Sequence, residues 1–213
     1  MAVSMPLLTG VARKSSANSP KLHLDEPFLT LIEPRTVEPP AQLPVKDRQS
    51  VTSEGRRLEV PIHGVVVHPT IVHADDRGSL TEIHTAAWNV HPEPLSQAVR
   101  IVIRPGKIKG WAKHIQNVDR TMVMKGEVKI VMYDDRPESP TYRSVNVLFL
   151  GEHNLGLLVI PASVYHAVQC VGRKDAILIN FPTRPYDYED PDKYRLPPNN
   201  TLIPYRFEDV LGW

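Results

Sequence analysis

A single cysteine, Cys170, occurs in the whole chain, so no internal disulfide framework staples it and a reducing compartment suits it. Cys170 lies in an apolar run and reads as a small buried hydrophobe. An excess of charge of one sign is also missing. The 25 Lys and Arg are matched by 24 Asp and Glu, for a net +1, which leaves no global field to attract nucleic acid or anionic lipid. Neither nucleic acid nor membrane is expected as a partner. No apolar run approaches the ~20 residues that a bilayer-spanning helix needs. The start, MAVSMPLLTGVARKSS, places its short apolar piece before Arg13 and Lys14, the reverse of a secretory signal's charge order. A soluble, cytoplasmic protein is the expectation. Internal repeats and low-complexity tracts are absent, and beyond residue 60 no stretch shows a helical apolar stripe.

Proline is plentiful, and its placement divides the chain. Pro34, Pro39, Pro40 and Pro44 interrupt any periodicity before RQSVTSEGRR. Such a composition buries too little apolar surface to offset its ordering entropy. Residues 1–60 are expected to form an extended arm that either is disordered or drapes over a partner subunit, with Leu29, Leu31 and Ile32 as local anchors. Residues 61–213 are expected to form the folded domain. There, HGVVVHPTIV, SLTEIHTAAW, QAVRIVIRPG, RTMVMKGEVKIVMYDD, RSVNVLFLG, LGLLVIPAS, YHAVQCV and AILINFP have strand length and β-branched enrichment. Turn sequences separate them every ~10 to 15 residues, which argues for an all-β barrel or sandwich. The tail after residue 183 mixes tyrosine and proline. It is expected to be irregular, with one short helical turn, packed across a barrel mouth.

The most informative stretch is GKIKGWAKHIQNVDRTMVMKG, residues 106–126. It reads as two strands joined by a polar loop, with glycines where turns need positive φ. Strand alternation predicts one shared face for Gly106, Ile108, Gly110, Ala112 and His114. After Gly106 come five residues and Ala112, one residue and His114, four residues and Asp119, then six residues and Gly126. This spacing resembles the first cupin motif, in which two histidines flank one residue and a carboxylate follows. Pro161 to His166, PASVYH, resembles the second motif, whose histidine enters the same barrel from another strand. Departures are Ala112 at the first histidine, Ser163 at a glycine and Cys170 at a closing asparagine.

Further pieces narrow the likeness. Asp75-Asp76-Arg77-Gly78, Glu82, Gln97, Lys109-Gly110-Trp111, YDDRPESPTY and IPASVYHAV resemble, in that order, the dTDP-4-dehydrorhamnose 3,5-epimerase family over about residues 62–205. The resemblance implies a double-stranded β-helix, the cupin jelly-roll barrel. It also implies a homodimer that epimerises a nucleotide-linked 4-keto sugar without metal or redox cofactor. By motif, Arg77, Glu82, Gln97, Lys109 and His166 fall at positions that line the family's substrate site. Arg77 and Lys109 would pair with the diphosphate, and Trp111 could stack on a base. The family's catalytic base falls at Ala112, its enolate lysine at about Asp119 and its tyrosine acid at Asn180.

Epimerisation next to a ketone needs a base to take an acidic hydrogen, an acid to return one and a donor to hold the enolate oxygen. Ala112 and Asn180 cannot do the first two. His114, Asp119 and His166 remain, and three readings stay open for them. The histidines could serve as base and acid, all three could hold a divalent metal as a facial triad, or they could be plain hydrogen-bonded pocket residues. Tyr165, Tyr186 and Tyr188 are the candidates for a replacement acid. His63, His68, His73 and His84 lack the motif spacing and read as surface or strand-end residues, and the run DYEDPD reads as a solvated loop. The expected function is a sugar-nucleotide epimerase or isomerase acting on a 4-keto-6-deoxy sugar nucleotide. The alternatives are an inactive sugar-nucleotide-binding homologue and a metal-dependent cupin with another small-molecule substrate.

Overall fold

The computed structural model describes residues 46–54 and 57–208. Most of the expected arm, with Leu29, Leu31 and Ile32, therefore lies outside the described residues. Among these residues the only helical element is a single 3₁₀ turn, Ala86–Trp88, and no helix is long and apolar enough to cross a membrane.

The valine- and isoleucine-rich runs become strands in chain order. They are β1 Val66–Pro69, β2 Val72–Asp75, β3 Gly78–Thr81, β4 Val99–Ile103, β5 Ile108–Lys113, β6 Asp119–Lys125 and β7 Glu127–Asp134. Then follow β8 Val145–Gly151, β9 Gly156–Ile160, β10 Val164–Cys170, β11 Ala176–Asn180 and β12 Tyr194–Arg195. Two five-stranded antiparallel sheets result, ordered β1-β9-β6-β11-β4 and β12-β5-β10-β7-β8, with β2 and β3 as a separate hairpin. From β4 to β11 successive strands alternate between the sheets, except at the β7–β8 hairpin, which is the double-stranded β-helix expected from the motifs.

Alternation along each strand decides what it buries. On β7, Val128, Ile130 and Met132 point into the core between the sheets with Val123, Leu150, Leu158 and Leu178. Their neighbours Val131 and Tyr133 point the other way, toward Ile108, Trp111, Tyr165, Ala167, Ile203 and Phe207. The second sheet is thus buried on both faces, and tail residues 196–207 supply the outer cover. Each large side chain removed from water there contributes ~1.5–3 kcal/mol.

The tail therefore differs from expectation. Its described residues hold no helical turn. Instead β12 adds to β5, with Tyr194 opposite Lys113 and Arg195 opposite Ala112, and Trp111 and Leu196 exchange backbone hydrogen bonds at 3.2 and 3.3 Å. Residues 184–195 line the mouth of the barrel, while the remainder wraps the outer face.

The YDDRPESPTY segment proves to be a clasp. The buried Asp134 carboxylate accepts from the Arg136 guanidinium (2.8 and 2.9 Å), from Ser139 Oγ (2.6 Å) and from Thr141 Oγ1 (2.7 Å). Arg136 and Thr141 in turn bond the His63 backbone at 2.7 and 2.8 Å. One carboxylate thereby closes the β7–β8 connection and ties down the chain entering the domain. These bonds outweigh the opposing effect of burial and hold Asp134 well below the ordinary carboxylate range.

Candidate active site

A cavity of about 690 Å³ opens at one end of the barrel, between the two sheets. His114 stands just past β5, Asp119 opens β6 and His166 lies on β10, so three strands converge on its floor. Asp119 Oδ2 is 3.2 Å from His166 Nε2 and 3.5 Å from His114 Nε2. The imidazoles stack with ring centres 5.7 Å apart.

Each member of the cluster is held from behind. His114 Nδ1 donates to the Asp192 carbonyl and His166 Nδ1 to the Val164 carbonyl, so both rings turn Nε2 toward Asp119. Asn117 Nδ2 (3.1 Å) and Asn180 Nδ2 (2.8 Å) donate to Asp119 Oδ1, which leaves Oδ2 for the histidines. Burial resists the Asp119 charge, but the His166 hydrogen bond, the charges of His166 and His114 and the Asn180 amide outweigh it. Its carboxyl sits well below the ordinary range. Asn180 Oδ1 is buried without a partner, an acceptor open to a ligand's donor.

Above this floor cations outnumber carboxylates. Arg100, Lys109, Arg184, Lys193 and Arg195 line the cavity, with Asp187, Asp190 and Asp192 on the same lining. Partial burial and the positive charges of Arg195 and Lys109 push the Lys193 amine below the ordinary lysine value, against the pull of Asp119. Arg195 lies directly across from Ala112 on the β12–β5 ladder, and Lys193, two residues back, shares its face.

Of the residues singled out in the sequence, Gln97, Lys109, His114, Asp119 and His166 come together at the cavity, as do Ala112 and Asn180. Four others do not. Trp111 and Tyr165 point into the outer core, with Trp111 Nε1 donating to Pro198 O at 2.9 Å and the Tyr165 ring 4.4 Å beneath Lys113 Nζ. Each is the strand neighbour of an inward residue, Ala112 or His166, and so must face outward. Arg77 is 84% exposed at the tip of the β2–β3 hairpin, paired with Asp75, and Glu82 is exposed just beyond β3.

Alternation also fails locally on β5. Ile108 joins the outer core while Lys109 lines the cavity, because the β10–β5 register shifts between His166 and Val168. At that shift a Cβ on Gly110 would lie 2.6 Å from His166 O, and Gly110 has φ +125, so only glycine fits. Tyr186 reaches the cavity rim, whereas Tyr188 is 86% exposed and off it. His84 is half-buried between Trp88 and Phe181, and burial, aided by Arg120, lowers its pKa. The DYEDPD run is not simply solvated. Asp192 caps the backbone N–H groups of Ile115, Gln116 and Asn117 at 2.8, 2.8 and 2.9 Å, which pins the loop bearing His114. Asp192, Lys193 and Arg195 were not singled out in the sequence. Their one signal was the alternating Lys-Tyr-Arg, legible only once the tail is known to pair with β5.

The model of the dTDP-4-dehydrorhamnose 3,5-epimerase family matches residues 59–207. The protein named "Probable low-salt glycan biosynthesis epimerase Agl13" in Haloferax volcanii is 35% identical over 137 residues, covering 64% of this chain and 88% of that one. The spore coat polysaccharide biosynthesis protein SpsL of Bacillus subtilis is 32% identical over 146 residues, covering 68% and 96%. In fold, the dTDP sugar isomerase of Desulfovibrio desulfuricans is similar at a TM-score of 0.64 and 21% identity, over 70% of this chain and 93% of that one. With its motifs, its barrel and a family match spanning nearly the whole folded domain, the chain belongs to the dTDP-4-dehydrorhamnose 3,5-epimerase family.

Proposed function

We propose that the protein moves a proton at one carbon beside the ketone of a nucleotide-linked 4-keto-6-deoxy sugar, giving a single epimerisation or isomerisation. The observation that carries this reading is one cavity that joins a cationic wall to the buried His114–Asp119–His166 cluster. Lys109 with Arg100, Arg184 and Arg195 suits a diphosphate, because guanidinium and ammonium donors pair strongly with phosphate oxygens. The name of the matched family carries a dTDP-linked keto sugar, and the relatives from Haloferax and Bacillus are named for glycan and polysaccharide biosynthesis.

Lys193 is the base in this reading. Its amine makes no hydrogen bond or ion pair among the described residues, and although the residue keeps contact with solvent at the cavity mouth, partial burial and the neighbouring cations favour its neutral form. It takes the α-hydrogen as a proton and becomes an ammonium, while the C–H electron pair delocalises onto the ketone oxygen. The Nε2 edges of His166 and His114 hold that oxygen and return a proton to carbon. At Ala112 and Asn180 there is neither base nor acid, since Asn180 is already spent on Asp119, so a second carbon goes unserved.

The experiment is product analysis after incubation with a dTDP-linked 4-keto-6-deoxy sugar and reduction of the ketone. One inverted carbon beside the ketone, or a ketone moved to the neighbouring carbon, is expected. Recovery of the starting sugar alone, with the nucleotide sugar bound, would favour the inactive binding homologue instead.

The β2–β3 hairpin exposes Ile71, Val72 and Leu80 at 72%, 50% and 63%, a surface suited to a second copy of the chain. We read the protein as a homodimer in which Arg77 and Glu82 reach a partner's cavity rather than their own. Sedimentation equilibrium showing a monomer at micromolar concentration would reject this.

A further inference from the structure

We propose that His114 Nε2, His166 Nε2 and Asp119 Oδ2 bind one divalent first-row transition ion. A backbone carbonyl can only accept, so the contacts to Asp192 O and Val164 O place a proton on each Nδ1. A neutral imidazole of that tautomer has its lone pair on Nε2. Each Nε2 faces a carboxylate oxygen at 3.2 and 3.5 Å, to which its proton is donated in the metal-free protein. With the other polar atoms of the three side chains already committed, a cation that displaces those protons meets two imidazole lone pairs and a carboxylate oxygen at one point.

The geometry suits a metal. The three ligand atoms lie within 4.8 Å of one another, close enough to share an ion at bonds of about 2.0–2.2 Å after small side-chain shifts. Two imidazoles and a carboxylate select transition ions over calcium or magnesium, which prefer all-oxygen shells. The outer support has the form that metal ligands use, with carbonyl acceptors behind both histidines and amide donors behind the carboxylate. Asn180, which stands at the family's acid position, serves here to aim Asp119. Ala112, directly across from His166 on the β10–β5 ladder, presents only a methyl group and leaves the cavity side open.

Bound there, such an ion would polarise the substrate's ketone oxygen, the task assigned above to the Nε2 edges. The inference does not depend on the epimerase reading. Metal-stripped protein that still alters the sugar but never takes up an ion would overturn this inference alone. Metal uptake without turnover would leave it standing and defeat the other.

The test is titration of chelator-treated, full-length protein with Co²⁺ and Zn²⁺, followed by calorimetry and by the visible spectrum of bound Co²⁺. About one ion per chain is expected. His166→Ala and His114→Ala should each abolish the Co²⁺ spectrum, and Asn180→Leu should weaken binding about 10- to 100-fold. Ala112→His, which adds a fourth ligand to the open side, should tighten binding at least about tenfold. It keeps the test decisive if the alanine variants fold poorly. No uptake of either ion by the unmodified protein, or uptake unchanged in all four variants, would overturn the proposal.

Discussion

Lys193→Met is expected to lower proton transfer on the keto sugar about a hundred- to ten-thousandfold, the range for removing a positioned general base. That corresponds to about 3–5.5 kcal/mol of barrier. Affinity for the nucleotide sugar should change far less, because Lys109, Arg100, Arg184 and Arg195 remain on the same wall. The informative companion is Lys193→Arg. Arginine keeps the positive charge but does not deprotonate in proteins, so this variant should bind like the parent and react like the methionine variant. If the arginine variant keeps the parent's rate, Lys193 only attracts substrate and the base lies elsewhere. In the parent, activity should rise with pH as the amine loses its proton. The midpoint should lie below the ordinary lysine value of about 10.4, since burial and the neighbouring cations lower this group.

Asp134→Ala should produce the largest loss of stability. Removing one partner of a buried, hydrogen-bonded charge pair costs about 3–5 kcal/mol, read as a fall in Tm of about 6–20 °C for a domain of this size. Turnover per folded molecule should be unaffected, because the clasp lies away from the cavity. The pH dependence supplies a second reading. A carboxyl whose folded pKa is depressed contributes stability above its unfolded value of about 3.9 and loses it as pH falls through the folded value. Denaturation of the parent should therefore steepen below about pH 4, and the Asp134→Ala curve should be shallower there. Parallel acid limbs for the two proteins would show that the Asp134 charge is not what the clasp depends on.

Much of the barrel was legible because strand content and strand period are local properties. The alternation Val128, Ile130, Met132 against Val131, Tyr133 can be read from sequence, and both faces proved buried. His114, Asp119 and His166 were legible by spacing, since a short loop between β5 and β6, which lie in the two facing sheets, brings the end of one beside the start of the other. The same rule argued against Trp111 and Tyr165, each adjacent to an inward residue, and motif position was the weaker guide. What remained hidden is nonlocal. The register shift that turns Lys109 inward depends on how β10 pairs with β5. The tail's delivery of Lys193 and Arg195 beside Ala112 depends on a two-residue strand, β12, whose sequence carries no periodicity of its own. Arg77 reads as a diphosphate partner by motif, yet its hairpin holds it in solvent on its own chain.

Proton transfer at a single carbon within this cavity can be read from position-resolved solvent exchange. The unmodified protein would be incubated in D₂O with a dTDP-linked 4-keto-6-deoxy sugar, and the sugar fragments read by mass spectrometry for label on either side of the ketone. Deuterium is expected at one of the two carbons, and its loss in Lys193→Met. Comparable exchange at both carbons, or none at either while the nucleotide sugar is bound, would contradict it.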